Sequence, residues 1–86
     1  EILLILKNVE FVYLNYKTKD QKHLKNVKLT DLERYYKKGH FPPGSMGPKI
    51  LAAIRFLKSG GKKVIISDVE KGWEAFQGKT GTHIIK

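Results

Sequence analysis

The sequence predicts an α/β domain with a mostly parallel sheet. Three observations carry this. Short apolar runs that read as strands open the chain, recur at Val64-Ile-Ile66, and return at its end. Segments with helical apolar spacing lie between them, each introduced by a capping residue and stopped by glycine. Strands alternating with helices are the signature of a sheet covered by helical layers.

In chain order, Ile2-Leu-Leu-Ile-Leu6 is too short for a buried helix and reads as a strand buried on both faces. Phe11–Tyr16, rich in aromatic and branched residues, predicts a second strand. Lys17–Lys22 is polar and turn-like, and Leu24, Val27 and Leu29 punctuate a basic extended stretch. Thr30-Asp-Leu-Glu33 has the form of a capping box opening a helix that ends in lysines and stops at Gly39. Phe41-Pro-Pro-Gly44 is loop, since paired prolines exclude a helix interior. Ser45 is the expected N-cap of a helix from Met46 to Ser59, with Ile50, Ala53, Ile54 and Leu57 on its buried face. Gly60-Gly61 ends it. Ser67-Asp-Val-Glu70 reads as a second capping box, before a helix carrying Trp73 and Phe76 as packing residues. Gly78–Thr82 is a turn, and His83–Ile85 a closing strand. Nothing in this order marks an internal boundary, so residues 1–86 read as one segment.

Composition narrows the function. The absence of cysteine excludes disulfide frameworks, thiolate metal sites and cysteine nucleophiles. No apolar run is longer than Ile2–Leu6, far short of the roughly 20 residues of a membrane span. No basic segment precedes that run, so a signal peptide is not expected and cytoplasmic residence is. Seventeen Lys+Arg against eight Asp+Glu give a net charge of +9, which attracts polyanions. Arg34 and Arg55 are the only arginines, whereas readers of nucleic-acid sequence lean on arginine forks.

The most informative stretch is Gly44-Ser-Met-Gly-Pro-Lys49. A glycine-rich loop feeding a helix offers first-turn amides and the positive end of the helix dipole to an anion. Pro48 suits the first turn, where its missing N–H costs nothing. Lys49 there opposes the dipole unless an anion arrives; a solvated lysine on a plain turn is the competing reading. Gly78-Lys79-Thr80 is not a P-loop: the pattern requires glycine at the position of Trp73, and the triplet follows a helix instead of opening one. His23, His40 and His83 lack metal-ligand spacing, no nucleophile–base pair is evident, and Tyr35 and Tyr36 read as packing residues.

Taken together, Val12-Tyr-Leu-Asn-Tyr16, Gly39-His-Phe-Pro-Pro-Gly-Ser-Met-Gly-Pro-Lys49, Ala52-Ala-Ile-Arg-Phe56, Gly60-Gly61 and Gly78-Lys-Thr-Gly-Thr82 resemble, in order and spacing, the C-terminal portion of the carbamate kinases of the amino acid kinase family. The resemblance implies part of a three-layer αβα sandwich. It implies a homodimeric parent of arginine metabolism that reversibly transfers phosphoryl between ATP and carbamate, giving ADP and carbamoyl phosphate, with Mg2+. By the same mapping, Lys49 contacts the transferring phosphoryl group. Lys7, Asn8, Val9, Tyr13 and Tyr16 lie about adenine and ribose, and Ser45, Met46, Gly47, Pro48 and Lys49 form the nucleotide loop. One stretch departs from the pattern: Leu6-Lys7-Asn8-Val9 stands where the family usually reads Leu-Thr-Asp or Leu-Thr-Gly before valine. The carbamate pocket and the partner lysines of the family lie outside this chain, so the 86 residues alone are expected to be inactive. An open apolar strand edge also predicts self-association. Two other readings stand beside this one: a non-catalytic relic or interaction module, and a basic nucleic-acid-binding domain motivated by charge alone.

Overall fold

The computed structural model describes residues 1–42, 44 and 46–86. A mixed sheet forms the middle layer. Its strands are β1 (Ile2–Lys7), β4 (Asn26–Lys28), β5 (Lys63–Asp68) and β6 (Thr82–Ile85), in the order β1-β5-β6-β4. β1 runs parallel to β5 and β4 parallel to β6, while β5 and β6 are antiparallel. The mostly parallel sheet expected from the sequence is therefore present, with one antiparallel joint at its centre.

Register decides what each face carries, because side chains alternate along a strand. Leu3 and Ile5 stand beside Val64 and Ile66, with Ile84 and Val27 following across the sheet. This face is covered by α1 (Leu29–Lys37) and α2 (Gly47–Lys58). Leu29 and Leu32 of α1 and Ile50, Ala53, Ile54 and Leu57 of α2 are buried against it. The four α2 positions are those that the helical spacing picked out. The other face carries Leu4, Ile65 and Ser67, and α3 (Gly72–Phe76) lies over it through Ala75. Helices on both sides of a sheet make the three layers.

Glycine stops the two longer helices as expected. Gly39 and Gly60 adopt φ of +84° and +104°. The amides of Gly39 and His40 bond back to Tyr36 and Tyr35, and those of Gly60 and Gly61 to Leu57 and Phe56. These are paired Schellman closures, which satisfy the last carbonyls of each helix.

Several expectations are corrected. β1 is not buried on both faces: Ile2, Leu4 and Leu6 are exposed, because β1 is the last strand of the sheet and α3 reaches only part of it. The second strand is shorter than the apolar run. β2 (Val12–Leu14) pairs antiparallel with β3 (Lys22–Leu24) in a separate two-stranded sheet, and Asn15 at φ +53° turns the chain away. Neither capping box works as read. α1 starts at Leu29 with Lys28 as a cap that makes no side-chain bond, since burying Leu29 and Leu32 one turn apart draws the helix start forward. Asp31 instead pairs with Arg34 at 3.2 Å, and Glu33 reaches Lys58 of α2 at 2.6 Å. Ser67 lies buried inside β5, and Asp68 does the capping, accepting from the Glu70 amide at 2.8 Å. A 3-10 turn, Val69–Lys71, follows before α3. Trp73 and Phe76 do not pack into the core. They stack on each other, centroids 5.9 Å apart, with both rings exposed. Ser45, the expected cap of α2, lies outside the described residues, and Met46 holds the N-cap position.

The β2–β3 ribbon is fastened to the main sheet by one buried side chain. The Val12 amide donates to Thr82 Oγ1 at 2.8 Å, and the Thr82 hydroxyl donates to the Leu24 carbonyl. Val12 and Leu24 are opposite each other in the ribbon, so a single hydroxyl closes both strands onto β6. Thr82→Val keeps the shape and leaves a buried amide and carbonyl unpaired, a loss of about 1–3 kcal/mol. Urea unfolding should show the drop in midpoint, with Thr82→Ser retaining most of the stability; an unchanged midpoint in the valine variant removes Thr82 from this role.

Candidate functional site

Four segments meet around one cavity. The end of β1 supplies Lys7, and the chain after it Asn8 and Val9. The β2 hairpin supplies Tyr13, Asn15 and Tyr16. The loop leaving α1 supplies Gly39, His40, Phe41 and Pro42, and Met46 stands where α2 begins. Together they line a cavity of about 380 Å³. Six residues picked from the sequence, Lys7, Asn8, Val9, Tyr13, Tyr16 and Met46, are thus brought to one place from segments far apart in the chain.

Each wall has a physical anchor. Phe41 is buried in the core and holds the α1–α2 loop down. Gly47 then lets α2 approach that loop: a Cβ there would lie 2.8 Å from the Pro42 carbonyl oxygen and 3.0 Å from that of Phe41. The Gly47 amide instead donates to the Pro42 carbonyl at 3.0 Å. The hairpin wall hangs on Thr82 through Val12. The segment between β1 and β2 is tied by Glu10, whose carboxylate accepts from Lys71 Nζ at 3.1 Å and from the Thr80 hydroxyl. Asn15 takes the left-handed turn that its short amide side chain tolerates.

The cavity chemistry is aromatic and polar together. The rings of Tyr13 and Tyr16 lie 5.3 Å apart at 32°, and Lys17 Nζ sits 5.6 Å from the Tyr16 centroid. His40 packs edge-on to Tyr35 at 5.8 Å. Flat apolar faces beside amide groups and a lysine suit a planar, hydrogen-bonding heterocycle that bears negative charge.

The helix N-terminus offers less than the sequence suggested. Gly47 N–H is spent on Pro42, and the amides of Lys49 and Ile50 both donate to the Met46 carbonyl at 3.0 Å. Pro48 has no N–H. The first turn of α2 therefore presents its dipole and the exposed Lys49 side chain to an anion, rather than a cradle of open amides. Gly47, Pro48 and Lys49 adjoin the cavity through Met46 but do not line it.

Asn15, Gly39, His40, Phe41 and Pro42 line the cavity without having been assigned to it. All lie inside stretches singled out by motif, so the signal was present; what was missing was that the α1–α2 loop folds back on the hairpin. His83 meets the Thr80 carbonyl at 3.0 Å, and His23 packs on Phe11 at 4.6 Å. Among the described residues, no three His, Asp or Glu side chains gather to hold a metal ion. Gly78-Lys79-Thr80 is a helix-ending turn, with Gly78 at φ +85°.

Comparison with known proteins gives the chain a family. The model of the amino acid kinase family matches residues 1–68, and the chain belongs to that family. Within it, the resemblance is to carbamate kinases. The carbamate kinase of Pyrococcus horikoshii is 55% identical over 98% of this chain, and the carbamate kinase-like protein YahI of Escherichia coli is 48% identical over all of it. Among solved structures, the Giardia lamblia carbamate kinase bound to AMP-PNP superposes on 99% of the chain with a TM-score of 0.95 and 44% identity. In each case this chain spans 27% of the longer protein.

The Glu10 tie yields a pH test. The Thr80 hydroxyl, and then Lys71, hold the Glu10 carboxyl below its ordinary value of 4.5, and Glu10 holds the Lys71 ammonium above its ordinary 10.5. A lowered carboxylate contributes stability that is present above its unfolded pKa and lost as pH falls through the folded one. Glu10→Gln should therefore lower the urea midpoint by a constant amount from pH 6 to 9, with the gap to wild type closing below about pH 4.5. A gap that does not change with pH contradicts the tie.

Proposed function

We infer that residues 1–86 form one segment, the nucleotide-binding portion of a carbamate kinase-type phosphotransferase, an enzyme that reversibly converts ATP and carbamate to ADP and carbamoyl phosphate. The observation that carries this reading is the cavity where Lys7, Asn8 and Val9 face Tyr13, Tyr16 and Met46. The AMP-PNP complex of the Giardia lamblia relative supports it.

In this reading the tyrosine rings receive the base, and the polar groups of Asn8 and Asn15 fix its orientation. Lys7 and Lys49 offset the charge of the phosphates, Lys49 with the help of the α2 dipole. Lys49 acts as the catalytic charge-stabilising group on the transferring phosphoryl. Phosphoryl transfer asks mainly for positioning and neutralisation of charge, which suits a lysine at this place. Magnesium, where phosphoryl transfer uses it, is commonly held by one or two carboxylates and the phosphates themselves. The described residues supply no ligand cluster for it, so no step is assigned to it in this chain.

The groups of such a site act as a unit, and Lys49 alone does not make one. The isolated chain is therefore inactive, and its open β1 edge favours self-association, whereas the longer enzyme works as a homodimer in the cytoplasm. The engaged amides of the α2 first turn favour a second reading, a non-catalytic relic that keeps the fold and has lost tight phosphate binding.

A chimera separates the two. Let this chain replace the matching 27% of the Pyrococcus horikoshii enzyme. The chimera should form ATP from ADP and carbamoyl phosphate, and Lys49→Ala within it should lower kcat about 10²–10³-fold with little change in KM for ADP. A folded but inactive chimera favours the relic, and full kcat without Lys49 removes that residue from the mechanism.

A further inference from the structure

A second cavity, of about 1110 Å³, lies at the corner where β3 passes into β4. It shares no lining residue with the one that holds Tyr13 and Tyr16. Lys22, Lys25, Lys28 and Lys63 line it, together with His23 and His83. Asp31 is the one carboxylate of the lining, and it already pairs with Arg34 at 3.2 Å. Among the described residues, none of the four lysines has an ion-pair partner. Register explains part of this gathering. Lys63 of β5 and Lys28 of β4 both stand opposite Ile85 of β6, so they project from one face of the sheet on either side of it. Two strand spacings separate them, about 10 Å. The corner itself is pinned to β6. The Lys25 carbonyl accepts from the His83 amide at 2.8 Å, and the Leu24 carbonyl accepts from the Thr82 hydroxyl. Leu24 and Val27 are buried, so the backbone that carries Lys22, Lys25 and Lys28 is fixed while their side chains stay exposed.

Like charges held around one hollow repel each other, and here no free carboxylate answers them. An anion that enters removes the repulsion and gains all four attractions at once. The lining decides what kind of anion fits. It contains no arginine, so no planar fork selects one carboxylate or one phosphate. Lysines act as separate point charges and suit a ligand that carries several negative charges along its length. Apart from the imidazoles, Tyr35 is the only ring of the lining. It is engaged edge-on by His40 at 5.8 Å and by the Arg34 guanidinium at 5.4 Å. Single-stranded nucleic acid is held by aromatic platforms for its bases as well as by charge. This corner offers the charge without the platforms. We propose that the β3–β4 corner binds a compact oligophosphate, a chain of several phosphate groups, through Lys22, Lys25, Lys28 and Lys63. The shared chemistry is the phosphate chain, whether free or the tail of a nucleotide whose base stays in solvent. The site is separate from the tyrosine cavity, and the inference does not rest on the nucleotide reading.

The probe is inorganic tripolyphosphate, titrated without magnesium into the isotope-labelled chain and followed by amide NMR and calorimetry. The expected result is a one-to-one complex whose shifts concentrate from Lys22 to Lys28 and at Lys63 and His83. Lys25→Gln combined with Lys28→Gln should weaken it about 10-fold, because each exposed ion pair contributes little singly. These side chains are exposed, so the variant keeps the fold. Raising salt from about 0.05 M to about 0.3 M should cost a similar factor. Lys38→Gln, which lines neither cavity, should leave the affinity unchanged. ATP serves as the second arm. The same shifts with a tighter complex for ATP assign the site to a nucleotide tail, and a tighter complex for tripolyphosphate assigns it to the free chain. Shifts confined to Lys7 and Lys49, shifts scattered over lysines remote from the corner, or an affinity that the double variant does not move overturn the proposal. Equal affinity for citrate overturns the choice of phosphate. Tighter capture of oligothymidylate at the same residues gives the corner to nucleic acid and overturns it too. A spectrum that stays collapsed with tripolyphosphate present does the same, since the site requires the folded corner. Shifts at Val9, Tyr13 and Met46 report on the other cavity, so the failure of one reading leaves the other standing.

Discussion

The hydroxyl of Thr82 takes the amide proton of Val12 and gives its own to the carbonyl of Leu24. Beside the bond from the His83 amide to the Lys25 carbonyl, which joins the chain just after β3 to β6, it fixes both strands of the β2–β3 ribbon against the main sheet and so helps to place Tyr13, Asn15 and Tyr16. A short two-stranded ribbon is marginal by itself in water, so its position must come from what it is attached to. The attachment point is chosen by topology. β6 lies between β5 and β4, antiparallel to β5 and parallel to β4, and this placement brings Thr82 to the hairpin. A threonine inside a strand provides both a donor and an acceptor where two strands of another sheet each offer the complementary group. The opposite wall depends on Phe41, sunk in the same core, and on Gly47, which lets α2 come within hydrogen-bonding distance of the loop.

Charge and shape divide the work between them. The net charge of +9 is spread as lysine over the surface, where single residues contribute little to stability and much to long-range attraction of anions. At the cavity it becomes local: Lys7 lines it and Lys49 stands on the adjoining helix turn. Because the amides of that turn are already bonded, the proposed binding of a phosphate there would lean on side-chain charge and dipole more than on backbone donors. Such a site is sensitive to ionic strength, since exposed charges are screened within about 8–10 Å at physiological salt.

Much of the fold was legible because period and punctuation agree. The spacing of Ile50, Ala53, Ile54 and Leu57 identified the buried stripe of α2, and Gly39 and Gly60 marked the helix ends by the one property that glycine alone supplies without strain. The capping boxes misled because a local hydrogen bond is worth less than burying Leu29 and Leu32, so the helix began earlier and freed Glu33 for Lys58. Exposure of Leu4 and Trp73 was not legible, since an apolar residue announces that it wants cover and not whether the same chain provides it. Most of the site was readable from motif, with Lys7 to Val9 and Tyr13 to Met46 standing in recognisable stretches. Asn15, His40 and Phe41 stand in the same stretches, but that they line the cavity depends on a long-range fold-back that no local motif encodes. The Glu10 tie to Lys71 and Thr80 left no local signal at all.

In the proposed function, the walls held by Thr82, Phe41 and Gly47 enclose a nucleotide. An amide NMR titration of the 86-residue chain with magnesium-ADP tests it most directly. The predicted result is a dispersed spectrum in which shifts concentrate at Val9, Tyr13, Met46, Gly47 and Lys49, and weaken in Thr82→Val. A dispersed spectrum that ignores ADP, or shifts scattered over surface lysines remote from the cavity, contradicts it.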